Sequence, residues 1–149
     1  MTKFKLLFLT PLVFLLLSLN ACSSSQKESA KELKICPQCH MELPSSKLHT
    51  ARLEKDSKSY YFDDIGCMIL WAKDDKLPKR SQIFTNDTHK YMQAQKLHYT
   101  INEKTPMSYG FGAYEGEKEN TITFDEVVMR MLRGEHMANP KIRKQILGY

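Results

Sequence analysis

Cysteine is scarce in this chain: four residues among 149, at Cys22, Cys36, Cys39 and Cys67. That is too few for the disulfide lattice of a small secreted scaffold. No second C-x-x-C follows Cys36 and Cys39, which counts against a four-cysteine zinc ribbon. The five histidines show no H-x-x-x-H or H-x-H pairing, and a single tryptophan is present. Ser-His-Asp order, a phosphate-cradling glycine loop and paired catalytic carboxylates are all missing, so nothing here predicts an enzyme. Long apolar runs are also missing. The longest tract, Leu6 to Leu19, is interrupted by Thr10, Pro11 and Ser18 and is shorter than the ~20 residues a spanning helix needs.

What is present fits a foldable domain, with 42% apolar and 26% charged residues. Lys3 and Lys5 followed by the Leu6–Leu19 tract read as a signal peptide over residues 1–21. Leu19-Asn20-Ala21-Cys22 resembles the cleavage box of a bacterial lipoprotein, which makes Cys22 the lipidated residue. Acyl chains contribute ~0.8 kcal/mol per buried CH₂, so two or three of them anchor the chain stably to a membrane. Ser23 rather than Asp after Cys22 points to the outer membrane, with the chain facing the periplasm. An exported protein meets no genome, so its mild excess of basic over acidic residues, 22 against 17, does not indicate nucleic-acid binding. Three cysteines remain after lipidation. An odd number cannot all pair within one chain.

Residues 22–34 are polar, without aromatic or β-branched side chains, and read as a flexible tether with a reach of roughly 20 Å. Beyond it, Leu48–Leu53 and Ser59–Phe62 predict strands around a polar turn. Asp63 and Asp64 offer an N-cap to a helix with Ile65, Met68, Ile69 and Ala72 on one face, and Pro78 closes that region. Ser81–Thr85 reads as a strand, Asn86–Thr88 as a turn. The second half is similar. Leu97, Tyr99 and Ile101 alternate, Thr105-Pro106 turns, and Tyr109–Tyr114 and Thr121–Phe124 are strand-like. Asp125 offers a cap to a helix with Val127, Val128, Met131 and Leu132, ended by Gly134, and Lys141–Leu147 forms a last helix. Phe62-Asp63-Asp64-Ile65 lies on Phe124-Asp125-Glu126-Val127 as a faint repeat. The expected fold class is α+β, in two small tandem lobes, 35–88 and 89–149.

Chemistry concentrates in Cys36-Pro37-Gln38-Cys39-His40-Met41. Two thiols three apart chelate one soft ion, and Met41 adds a thioether. Thiolate with thioether favours Cu(I), whereas zinc sites use Cys, His and carboxylate. Three readings compete: a thioredoxin-like redox pair, half of a structural zinc site completed by Cys67 and a histidine, and a local disulfide staple. Cys67 falls in a first helical turn, where the helix N-terminus would lower its pKa, but it reads better as a small buried residue beside Trp71. Met68, Met129, Met131 and Met137 read as helix packing. Met107 follows Pro106 in a turn, where a core residue is less expected, and is a candidate copper ligand. His40 and His49 are the least unlikely ligands among the histidines.

Together the box ending at Cys22, CPQCHM, YFDDIGCM (Tyr60–Met68), TPMSYGF (Thr105–Phe111) and TFDEV (Thr123–Val127) resemble the NosL family, the accessory lipoproteins of nitrous oxide reductase. The resemblance runs through the mature chain in order. It implies two tandem ββαβ lobes and a periplasmic Cu(I) chaperone. Its implied partners are a membrane, through the lipid anchor, nitrous oxide reductase or another copper-accepting enzyme, and an ABC-type copper-assembly complex. Cys36, Cys39 and Met41 match the family's C-x-x-C-G-M, and Met107 its T-P-M. His40 stands where the family usually has Gly, adding a nitrogen or reshaping the loop. Cys67 matches a cysteine of some members. A thiol–disulfide oxidoreductase and a structural zinc-binding lipoprotein are the alternatives.

Overall fold

Apolar residues alternate along Ala51–Lys55 (β1), so that Ala51 and Leu53 are buried while Arg52 and Glu54 are not. Asp56 and Ser57 follow with φ of 49° and 60°, and the chain reverses into Lys58–Phe62 (β2). Two successive positive φ values match the right-handed twist of a two-residue hairpin. The ladder runs from Ala51↔Phe62 to Lys55↔Lys58, so the turn is tighter than the polar run Glu54–Lys58 implied. A computed structural model describes residues 34–72, 77 and 80–149. The expected signal peptide, Cys22, the tether up to residue 33 and Pro78 lie outside the described residues.

β1 also pairs with Ser81–Phe84 (β3), which in turn pairs with Tyr91–Gln93 (β4), giving an antiparallel sheet ordered β2-β1-β3-β4. β4 and the 3₁₀ turn after it, Ala94–Lys96, carry no periodic signal in so few residues. Between β2 and β3 lies Ile65–Trp71 (α1), with Asp64 as its N-cap, its carboxylate accepting from Gly66 N at 2.9 Å. Ile65, Gly66, Cys67, Met68 and Ile69 are all buried. So α1 is covered on every side and not only on the sheet face.

The second half opens with His98–Thr100 (β5) and Gly112–Tyr114 (β6), an antiparallel pair extended by a single bridge from Tyr99 to Ile122. Phe124–Arg133 (α2) follows. Its cap is Thr123, whose hydroxyl accepts from Glu126 N, and not Asp125, which lies in the first turn. The earlier start puts Phe124, Val127 and Met131 on the buried stripe and leaves Met129 and Leu132 about half exposed. It also places the two FD motifs differently: Phe62 ends a strand, whereas Phe124 opens a helix. Gly134 ends α2 with φ 71°, and Asn139 caps Pro140–Leu147 (α3).

The chain is thus mixed α+β, with antiparallel sheets and three helices among the described residues. Residues 35–88 hold strand, strand, helix, strand; residues 89–149 hold a strand that joins the first sheet, a 3₁₀ turn, then strand, strand, helix, helix. One apolar core joins them: Phe62, Ile65, Met68 and Ile83 belong to the same cluster as Tyr99, Phe111, Phe124 and Val127. Each such side chain contributes about 1.5–3 kcal/mol on burial. Asn86 N reaches across to Ala113 O at 2.8 Å. Leu33–Tyr149 is a single compact unit, and among the described residues no helix is long and apolar enough to cross a membrane.

A left-handed φ at Ser57 costs a non-glycine residue about 1–2 kcal/mol. Ser57→Gly is therefore expected to stabilise the chain by about 1 kcal/mol, raising the urea midpoint without changing the slope. A lowered midpoint would mean that the Ser57 side chain contributes more than its backbone costs.

Candidate metal centre

The C-x-x-C segment is a closed loop. Ile35 bridges Glu42, Cys36 N donates to Met41 O at 2.9 Å, and His40 N donates to Cys36 O at 2.9 Å. Pro37 fixes the first corner. His40 closes the loop at φ 61°, the conformation Gly adopts most easily, and its side chain is exposed. Among non-glycine residues His is one of those enriched there. The loop therefore keeps its shape with His40 in place.

This loop lies against the strand-to-helix turn Phe62-Asp63-Asp64-Ile65. Adjacent side chains on extended backbone diverge, and the two aspartates separate accordingly. Asp64 serves the cap. Asp63, wholly buried, turns to the cysteines, and the Cys39 thiol donates to its Oδ1 at 3.2 Å. At the third residue of α1, Cys67 points the same way. The sulfurs of Cys36, Cys39 and Cys67 and a carboxylate oxygen of Asp63 all lie within 4.8 Å of one another. All three cysteines are free thiols; Cys36 and Cys67 are fully buried and Cys39 partly so.

The group is electrostatically uneven. The Cys67 thiol donates to Cys36, and with backbone N–H groups of Cys39 and Asp63 it draws the Cys36 thiol down to about 6 against burial. Burial first, then the neighbouring Asp63 and Cys36, outweigh the Met41 N–H and push Cys39 up to about 11. Cys67 is raised, chiefly because its proton is held by Cys36 and then by burial; this reverses the lowering expected at a helix start. Of the three thiols, Cys36 is the one this geometry makes easiest to deprotonate. Asp63 Oδ2 is buried without a partner. An orphaned carboxylate oxygen beside three sulfurs is what a cation site looks like before loading, so the donor set fits a thiophilic metal ion.

Of the residues expected from sequence, Cys36 and Cys39 are in this group. Met41 adjoins it through its backbone, with a side chain 44% exposed. Met107 is partly buried, and its N–H donates at 3.1 Å to Oδ2 of Asp64, the neighbour of Asp63. Among the described residues the group contains no histidine, so neither His40 nor His49 belongs to it. Asp63 and Cys67 are the members that sequence reasoning set aside: Asp63 was absorbed by the cap, and Cys67 by the core. The available signal was DDIGC itself, one carboxylate more than a cap needs and a thiol four residues after it.

Neither a protein-family profile nor any curated protein or solved structure matches this chain.

Asp64 makes the site pH-dependent. Burial pushes its carboxyl from 3.8 up to about 6, against hydrogen bonds from Thr105, Gly66 N and Met107 N. A raised folded-state value means that this group's stabilisation is full below 3.8 and lost as pH rises through about 6. Asp64→Asn keeps a capping oxygen and removes the titration. The variant's loss of stability between pH 4 and 7 is expected to be smaller than the parent's by on the order of 3 kcal/mol, read from urea unfolding. Equal pH dependence in both proteins would exclude Asp64 as the titrating group.

Proposed function

We propose that this chain is a Cu(I)-binding chaperone of the NosL type, lipid-anchored through Cys22 and facing the periplasm, on the outer membrane. Its cargo goes to nitrous oxide reductase or another copper-accepting enzyme, in concert with an ABC-type assembly complex. Two tandem ββαβ lobes are the architecture this reading carries with it. The observation that supports it most is the convergence of three free thiols and a carboxylate with one unpartnered oxygen, in a chain that carries a lipoprotein-like box.

Soft sulfur donors suit Cu(I), and two or three of them leave room for an incoming ligand. Transfer then proceeds by exchange. A sulfur or imidazole of the receiving protein bonds to the ion as one of Cys36, Cys39 or Cys67 lets go, and copper stays Cu(I) throughout. Loading displaces the protons of Cys39 and Cys67, since only thiolates ligate. Met41 and Met107 are the thioether donors of this proposal, Met41 from the C-x-x-C loop itself and Met107 from the segment tied to Asp64. The redox alternative is poorly supported, because its low-pKa thiol, Cys36, has no solvent exposure for a disulfide partner to reach.

Zinc is the second reading, favoured by Asp63. Three thiolates and a carboxylate oxygen make four donors, a tetrahedral zinc set. The two readings separate in one titration. With Cys22→Ser leaving three thiols, the reduced chain is titrated anaerobically with Cu(I) against a competing chelator, and native mass spectrometry counts ions. One tightly held Cu(I) is expected. Cys36→Ser, Cys67→Ser or Met107→Ala each weakens it at least about tenfold, ~1.4 kcal/mol. Asp63→Asn leaves Cu(I) affinity within about threefold. Firm zinc binding abolished by Asp63→Asn, with weak Cu(I) binding, would replace the copper reading by the zinc one.

A further inference from the structure

Cys36 and Cys67 are wholly buried although they lie between a surface loop and the first turn of α1. The C-x-x-C loop covers one side. Another side is closed by Thr105–Gly110, from the opposite half of the chain. Its Tyr109 ring lies flat on the α1 backbone at Gly66, one residue from Cys67. A β-carbon at Gly66 would fall 2.2 Å from Tyr109 Cδ2 and 2.8 Å from Cγ and Cε2, closer than any side chain tolerates. Glycine is otherwise a poor residue inside a helix, so its presence here is explained by the ring.

The segment carrying Tyr109 is held at several points. Met107 N donates to Asp64 Oδ2 at 3.1 Å, and Gly110 N to the Thr105 hydroxyl at 3.3 Å. Met137 N donates to the Tyr109 carbonyl at 3.1 Å. His136 meets the ring edge-on, with centroids 4.9 Å apart. The phenol is pushed up to about 12, by burial first and then by Cys67, Asp64, Cys39 and Asp63, which places it in the field of the thiol cluster. Tyr109 nevertheless remains partly exposed. The ring thus reaches from the α1 backbone beside Cys67 to the surface.

We infer that Tyr109 is a positioning residue that closes the sulfur cluster from the side of the second half, setting how fast the thiols exchange ligands and not how tightly they bind. The ring offers the cluster a flat apolar wall over Gly66 in place of water. An incoming chelator, thiol or protein donor reaches Cys67 on this side only when the ring swings away, a motion opposed by Met137 and His136. This deepens the copper reading, in which slow spontaneous loss and fast directed transfer must coexist, but the cover itself exists without metal.

The test therefore begins with metal-free protein. The reduced full chain carrying Cys22→Ser is labelled with DTNB, a disulfide thiol reagent, and the modified cysteines are identified by mass spectrometry. Tyr109→Ala and Gly66→Ala are expected to accelerate labelling of Cys36 and Cys67 at least about tenfold, while Tyr109→Phe, which keeps the ring, stays within about twofold. Tyr109→Leu replaces Tyr109→Ala if circular dichroism shows that the latter does not fold. On Cu(I)-loaded protein the same variants release the ion to excess chelator faster, with Kd changed less than about threefold. Unaltered labelling in Tyr109→Ala or Tyr109→Leu overturns the inference, as does acceleration by Tyr109→Phe. A Kd that weakens in step with release also overturns it, because Tyr109 would then set affinity and not rate. If the parent binds no Cu(I), the chaperone reading fails, and labelling alone decides the role of Tyr109.

Discussion

Everything at the candidate site hangs on two adjacent buried carboxylates at the end of β2. Asp64 Oδ1 accepts from Gly66 N and starts α1, while Oδ2 accepts from Met107 N and ties down the loop of the second half. A single carboxylate thus fixes both the helix bearing Cys67 and the segment bearing Met107 and Tyr109. Its neighbour faces the other way and is left with Oδ2 unpartnered among sulfurs. Burying an unsatisfied oxygen costs on the order of 1–3 kcal/mol, which a fold sustains where the group has something to bind. The turn is at once a structural joint and half of a donor set.

The sulfurs divide the proton inventory unequally. Two donors from the backbone and one from Cys67 converge on Cys36, so its thiol gives up a proton more easily than its neighbours although it is buried. Cys39 and Cys67 keep their protons because each donates to an acceptor already in place, Asp63 Oδ1 and Cys36 respectively. A cation arriving at this centre replaces both bridging protons and unites four atoms already within 4.8 Å. Little rearrangement is required. That is preorganisation by hydrogen bonds, with protons holding the places of a metal.

Sequence carried much of this and missed it in definable ways. Alternation in Ala51–Leu53, the hairpin, the α1 face and the Gly134 stop were legible because each rests on a local period or a local φ. The C-x-x-C pair was legible because chelation sets its spacing. Cys67 was legible only as a small buried residue, which it is, because no local pattern tells burial against a core from burial against other donors. The back of α1 is covered by segments about 30 residues before and 40 after it, and no window sees that distance. Asp63 failed for another reason: one cap explained both aspartates. Thr123 took the cap expected of Asp125 because helix starts shift by a residue or two with little change in pattern.

His40 shows how a departure in a motif is resolved by backbone geometry. At φ 61° the loop requires what Gly provides freely, and His meets the requirement with its ring outside the donor group. The imidazole is therefore a feature of the outer surface of the loop, as is the half-exposed Met41 beside it. Inside are the thiols of Cys36 and Cys67, reached past the partly exposed Cys39. On the copper reading this ordering has a consequence. The Met41 thioether, which has no proton to lose, lies on the outer surface of the loop, and the thiols, which must give up protons to bind, lie behind it, so loading ends with protons released from inside the fold.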